Sequence, residues 1–208
     1  MARYTGPVCR LCRRERMKLF LKGTKCDTMK CPIERRPYPP GDHGRSRRQN
    51  SSEYLTQLRE KQKARRIYGV MEKQFRKIYA EAVRRQGVTG ENLLMLLETR
   101  LDNVAFRASW GSSRAQARQL VRHGHVKVNG KRVTIPSYHL RKGDVVTLSD
   151  KAKGFIVVQQ NVDTLDRSLP GWMDSGDGGK QVVVRELPIR AQIDVPVREQ
   201  LIVELYSK

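Results

Sequence analysis

All four cysteines lie in the first 31 residues, Cys9, Cys12, Cys26 and Cys31, with the spacing C-x2-C-x13-C-x4-C. Two short-spaced thiol pairs a dozen or so residues apart suit one tetrahedral metal, because a two-residue gap lets both thiolates of a pair turn toward the same ion. Arg10, Arg13, Arg14 and Lys30 stand beside them. These cations lower thiol pKa values and offset the charge of a four-thiolate site. Residues 1–40 are too basic and too few to fold on a core of their own, and metal binding would supply that folding energy. One zinc ion is the default, and a four-iron iron–sulfur cluster is the alternative that spacing does not exclude. Two disulfides would suit a secreted chain, but Met1-Ala2-Arg3-Tyr4 lacks the apolar stretch of a signal peptide. Four idle thiols are the remaining reading.

No other constellation suggests catalysis. His43 has no nucleophile or second carboxylate arranged around it, and no GxxxxGK phosphate cradle occurs. The charge points to binding instead. The chain has 208 residues, 42 Lys+Arg and 21 Asp+Glu, a formal net charge of +21. Residues 1–50 carry a net +10, residues 51–100 +5, residues 101–150 +6 and residues 151–208 zero. A field that strong, spread over three quarters of the chain, calls for a polyanion. Nucleic acid fits first and an anionic membrane surface second. The longest apolar run, Leu93–Leu97, is five residues, too short for a membrane helix.

The elements that position these cations follow from pattern. Arg35-Arg36-Pro37-Tyr38-Pro39-Pro40-Gly41-Asp42-His43-Gly44 cannot be regular structure. With Arg45, Arg47 and Arg48 it reads as a strap along a phosphate backbone, on which Tyr38 and His43 could stack on bases or sugars. A disordered linker is the bland alternative. Asn50-x-x-Glu53 resembles a capping box and predicts a helix from about Ser51 to Tyr68, stopped by Gly69. Arg59, Lys61, Lys63, Arg65 and Arg66 encircle its second half, which favours a phosphate partner. Met71, Phe75, Ile78, Tyr79, Ala82 and Val83 make the core stripe of a second helix. A third, from near Thr89, carries Leu93, Leu94, Leu97, Leu101, Val104 and Ala108 on its inner side. Ser113-x-x-Gln116 opens another, with Arg114, Arg118 and Arg122 spaced as one basic ridge. Alternating valines around Asn129-Gly130 predict a two-residue hairpin. Lys127, Lys131 and Arg132 lie on it, and a strand follows at Val145–Leu148.

Several of these segments carry a resemblance. Arg100-Leu101-Asp102-Asn103, followed by the run from Ser113 to Gly130, is similar to the RNA-binding module of the small-subunit ribosomal protein four family. Arg3-Tyr4 with Gly6-Pro7, the four cysteines, Pro39-Pro40-Gly41-x-His43-Gly44, Leu58–Lys63, Tyr68-Gly69 and Glu199–Ser207 resemble that family too, in order along the whole chain. The match is to the bacterial or organellar type that retains the cysteines. Ser109-Trp110-Gly111-Ser112 and residues 166–180 depart from the family pattern.

The resemblance implies a non-enzymatic constituent of the 30S subunit. It would bind 16S rRNA early at a junction in the 5′ domain and nucleate assembly of the subunit body. With small-subunit proteins five and twelve it would support decoding accuracy near the channel where mRNA enters. Its place would be cytoplasmic, in the ribosome, among other 30S components, with no membrane and no homo-oligomer. The implied fold class is α+β. A metal-knuckle extension and strap (1–48) precede a helical domain (49–98, completed by 190–208) and an α/β region (99–189) holding the module (about 99–160). For 154–165, and for the segment after Pro196, composition allows strand; spacing and resemblance favour helix.

The expected rRNA-binding residues are Arg3, Tyr4, Arg10, Arg13, Arg14, Arg35, Arg36, Tyr38, His43, Arg59, Lys61, Lys63, Arg65, Arg66, Arg100, Arg107, Ser113, Arg114, Gln116, Arg118, Arg122, His123, Lys127, Asn129, Lys131 and Arg132, with Arg45, Arg47 and Arg48 toward the mRNA. Arg118→Glu is expected to cost roughly 2–4 kcal/mol of binding with stability nearly unchanged. RNA-modifying enzymes that carry the same module add a much larger catalytic domain, and free-standing heat-shock-type binders lack the knuckle.

Overall fold

A computed structural model describes residues 3–45, 52–165 and 167–207. Arg47, Arg48 and the expected cap residue Asn50 lie outside the described residues. The chain divides into two compact units, Met1–Gly90 with Pro196–Lys208, and Glu91–Val195.

In the first unit, helix α1 (Cys9–Glu15) and a short helical turn at Gly23–Asp27 lead to helix α2 (Pro32–Arg35) and a turn at Asp42–Arg45. The strap is therefore partly wound. Two guanidinium groups stack on its Tyr38 ring, Arg13 at 4.8 Å and Arg45 at 4.7 Å. Arg13 also donates to the Tyr38 and Pro39 carbonyls at 3.0 and 3.3 Å. Helix α3 spans Glu53–Tyr68, capped by Ser52, whose hydroxyl accepts from the Leu55 N–H at 3.2 Å. Gly69 closes it at φ 63°, as expected of a left-handed cap.

Helix α4 (Glu72–Arg84) buries Phe75, Ile78 and Ala82, the centre of the anticipated stripe. The ends of that stripe, Met71 and Val83, are exposed. The last helix of this unit is formed by Glu199–Ser207 and packs along α3. Its Tyr206 ring meets Tyr79 at 4.6 Å, and its hydroxyl donates to Glu72 at 2.9 Å. Burial alone would raise the Glu72 carboxyl. Bonds from Tyr206 and Lys61, with Lys61 and Arg65 nearby, hold it below the ordinary range.

The third anticipated helix is in fact two, α5 (Thr89–Glu98) and α6 (Leu101–Arg107). Arg100 between them is extended and bridges to His139. The apolar period continues across this break, so pattern alone reads one helix. Glu98, fully buried, fixes the junction. Its carboxylate accepts from Asn103 at 2.7 Å and from Arg107 at 3.0 and 2.9 Å. This anchors the end of α5 in the second compact unit, which begins at Glu91.

Helix α7 (Arg114–Arg122) starts at Ser113, whose hydroxyl accepts from the Gln116 N–H at 3.3 Å. The Gln116 carboxamide oxygen reaches back to the Ser112 N–H at 2.7 Å. Strands β1 (Val126–Val128) and β2 (Lys131–Arg132) follow, then β3 (Val145–Leu148), helices α8 (Asp150–Lys153) and α9 (Ile156–Thr164), and strands β4 (Met173–Gly176) and β5 (Gln181–Val184). Short helical turns at Asp177–Gly179 and Arg190–Gln192 and the last helix, α10 (Glu199–Ser207), complete the elements among the described residues. The sheet is antiparallel in the order β2-β1-β3-β5-β4.

One face of that sheet packs Val126, Val128, Val146, Leu148, Val182 and Val184 against α6, α7 and α9 around Trp110 and Trp172. The Trp110 indole N–H donates to the Gly179 carbonyl at 2.7 Å, which ties the β4–β5 turn to this core. The divergent segment 166–180 thus supplies an edge strand. Arg167 secures the other divergent loop by donating to the Phe106, Gly111 and Ser112 carbonyls at 3.3, 3.0 and 2.6 Å.

The β1–β2 turn carries Asn129 at φ 49° and Gly130 at φ 78°, the two positive angles of a type I′ turn. No atom lies within 4 Å of where a Gly130 Cβ would stand. Gly130→Val should therefore act through backbone strain alone, costing about 1–2 kcal/mol. Urea unfolding followed by tryptophan fluorescence reads this; an unchanged midpoint would contradict it.

Candidate nucleic-acid interface and cysteine cluster

The cysteines are drawn together by α1, the turn at Gly23–Asp27 and the start of α2. All four are free thiols, and Cys12, Cys26 and Cys31 are buried. With Val8, Leu21, Lys22, Lys25, Pro32 and Ile33 they line one cavity of about 10 Å³, on the order of the room one water-sized sphere needs. The Lys22 N–H donates to the Cys26 sulfur at 3.4 Å. Burial, with the neighbouring thiols, pushes Cys12 and Cys26 above the ordinary thiol range. Among the described residues, no group of three or more His, Cys, Asp or Glu side chains stands ready placed to hold a metal ion. The four thiols line this one small space, and sulfur is a donor type that thiophilic metals take.

The basic residues sort into two classes. Those of α3 are largely occupied by acids. Glu15, at the end of α1, has a side chain only 2% exposed and takes ion pairs from Arg59 at 3.5 Å and from Arg66. Lys61 and Arg65 pair with Glu72 at 3.2 and 2.7 Å. Lys63 pairs with Glu60 at 2.5 Å and donates to the Pro196 carbonyl. In the free chain these charges tie α3 to α1, to α4 and to the Pro196 carbonyl. Sequence separation hid the acids: Glu15 lies 44 and 51 residues from its partners.

The anticipated ridge on α7 is corrected. Arg114, Arg118 and Arg122 do share a helical face, but the first two turn inward. Arg118 is 9% exposed and donates to Asp102 at 2.8 Å. Arg100, 1% exposed, grips the same carboxylate through two bonds at 3.0 and 2.8 Å. Arg114 stacks on Phe106 at 4.3 Å and donates to the Asn103 carboxamide at 2.9 Å. Arg107 pairs with Glu98 and with Asp194. Lys127 pairs with Asp150 at 3.1 Å, and Ser113 and Gln116 are spent on capping. Lys61, Arg100 and Arg118 are therefore not surface cations.

The open set remains substantial. On the module it comprises Arg122, His123, Lys131 and Arg132, all exposed, whereas the exposed Asn129 is spent on the turn, its carboxamide donating to Asp144 and accepting from the Val145 N–H, both at 2.9 Å. The hairpin meets the end of α7 directly, because Arg132 lies against Gly124 and donates to the His123 carbonyl at 3.2 Å. On the first unit, Arg3, Tyr4, Arg10, Arg14, Arg35, Arg36, His43 and Arg45 are exposed, and Arg13 and Tyr38 half-buried. Sequence reading missed Lys73, Lys77 and Arg84, exposed on α4 opposite its buried stripe, and Arg141 and Lys142 at the turn before β3. The α4 stripe would have located the first three, because its complement is the open face.

Residues 3–98 match the family described as ribosomal protein S4/S9 N-terminal domain, and residues 99–146 match the S4 domain. Full-length relatives named small ribosomal subunit protein uS4 are similar throughout. That of Acidothermus cellulolyticus is 57% identical over 211 residues, that of Dictyoglomus turgidum 59% over 209, and that of Geobacter sulfurreducens 56% over 209, each covering 100% of both chains. No described helix is long and apolar enough to cross a membrane.

Proposed function

Because the chain belongs to the uS4 family of small ribosomal subunit proteins, we propose that it is a structural, non-enzymatic component of the 30S subunit that binds 16S rRNA directly. It works in the cytoplasm as part of the ribosome. The observation that carries the RNA reading is the open cationic edge where α7 ends on the hairpin. Arg122 and Lys131 have no carboxylate partner there among the described residues, and the fixed Asn129-Gly130 turn sets the edge's shape. Such an edge reads backbone path rather than base sequence, as the deep A-form major groove demands. On this reading the protein nucleates assembly of the body from the 5′-domain junction and contacts small-subunit protein five. With proteins five and twelve it supports accuracy where mRNA enters, with Arg45, Arg47 and Arg48 on that side.

The cysteine cavity is proposed to hold one metal ion on Cys9, Cys12, Cys26 and Cys31. Its small volume supports zinc over a four-iron cluster. A bound zinc would supply structural cross-linking only, drawing α1, the Gly23–Asp27 turn and α2 onto one centre.

The test is a salt titration of binding to 5′-domain 16S RNA. Arg122→Glu and Lys131→Glu should each weaken binding and reduce the slope of log affinity against log salt by about one. Arg198→Glu, exposed in the first unit, is the control. If both variants match that control in affinity and slope, the edge is not the RNA grip.

A further inference from the structure

Beside the cationic edge the second unit carries a recess that phosphate binding does not use. It is a shallow, open recess of about 620 Å³ between α7 and the start of α9, a volume within the range of small-ligand sites. One side is apolar: Leu120, Phe155, Ile156, Val157 and Val158. Ile156 is 79% exposed and Val157 52%, although both lie on an ordered helix. The other side is polar: Gln116, Gln119, His123 and His125. The His125 ring stands edge-on to Phe155 at 4.9 Å and to His123 at 6.2 Å. Among the described residues, the Gln119 carboxamide and the ring nitrogens of both histidines make no hydrogen bond within the chain.

We propose that this recess takes a single unstacked nucleobase of the bound RNA. This rests on the RNA-binding reading and deepens it. The lining divides as a base does: apolar side chains for its face, and hydrogen-bonding side chains for its edge. Burial, with His123, Lys151 and Arg132 nearby, holds His125 below the ordinary imidazole range, so it meets the base uncharged. The rim chooses RNA over a protein partner. Arg132 at the His123 carbonyl, exposed Arg122 and exposed Lys151 leave the mouth cationic, complementary to the phosphates that flank an extruded base. No acidic side chain lines the recess.

The double variant Ile156→Ser/Val157→Ser removes the exposed apolar wall without touching a charge. Both side chains are largely open, so the tryptophan-monitored urea midpoint should stay at the wild-type value. Affinity for 5′-domain 16S RNA should fall roughly five- to a hundredfold, the loss expected of one stacked base. The salt slope should not change, because no phosphate contact is lost. Ultraviolet cross-linking of the wild-type complex should attach one nucleotide to the peptide holding His123, His125 or Phe155. Wild-type affinity in the double variant, a slope lowered by about one, or no cross-link there would each overturn the proposal. So would protection of residues 154–158 from hydrogen exchange only after other subunit proteins are added, which would assign the recess to a protein. If wild-type protein itself fails to bind the RNA, the parent reading fails instead.

Discussion

Arg118→Glu is expected to unfold the second unit rather than merely release RNA. The wild-type guanidinium shares the Asp102 carboxylate with Arg100 in a site where all three side chains are nearly sealed from water. A glutamate there removes one of two cations and sets a second carboxylate against Asp102. Breaking a buried pair and stranding charge costs about 3–5 kcal/mol. For a unit of this size that shifts the urea midpoint by about 1 M or more. Both tryptophans of the chain, Trp110 and Trp172, are buried in this unit, so their fluorescence reports its unfolding alone. Arg122→Glu, one turn further on and exposed, should leave the same midpoint in place while weakening RNA binding. Equal midpoints for Arg118→Glu and wild type would refute the role given to the Asp102 cluster.

Removing the metal proposed for the four cysteines should have the other large effect, confined to the first unit. Structural zinc contributes on the order of 10–16 kcal/mol of apparent binding free energy in small thiolate domains. The two short helices and the turn that carry the thiols have few other buried side chains. A strong chelator, or Cys26→Ser, should therefore release amide protection across residues 8–35 in hydrogen exchange. The tryptophan midpoint should be unchanged. Metal analysis should return one zinc per chain with no visible chromophore; iron, sulfide and a brown colour would replace zinc by a cluster. Unaltered exchange after complete metal removal would show that the knuckle holds without metal.

Local signals survived folding well. Asn129-Gly130 gave its I′ turn, Ser113 its cap and Gly69 its helix end, because each acts through atoms a few residues away. The helix at Ile156–Thr164 followed from Val158 and Val162 spacing although its residues are strand formers. What failed was long-range. The helical spacing of Arg114, Arg118 and Arg122 correctly put them on one face, but spacing does not say what that face meets. Asp102 and Glu15 are the acids that the spacing of the arginines did not reveal. Each is the buried counter-ion of two arginines. Net charge had the same blindness, since it weighs a paired guanidinium and an open one equally. Arg100 concealed a helix break because Leu97, Leu101 and Val104 keep period across it.

The return of α10 to pack on α3 bears on the order in which the protein takes shape during its own synthesis. The second unit, Glu91–Val195, is contiguous, so every residue of its core has been synthesised before Pro196 is added. The first unit is begun earlier yet must wait. Phe75 and Tyr79 lack their partner Tyr206, and Gln57 its bond to Glu204, until the last helix emerges. The second unit thus needs nothing encoded after Val195, whereas the unit bearing the cysteines completes its packing on α3 only with the last helix.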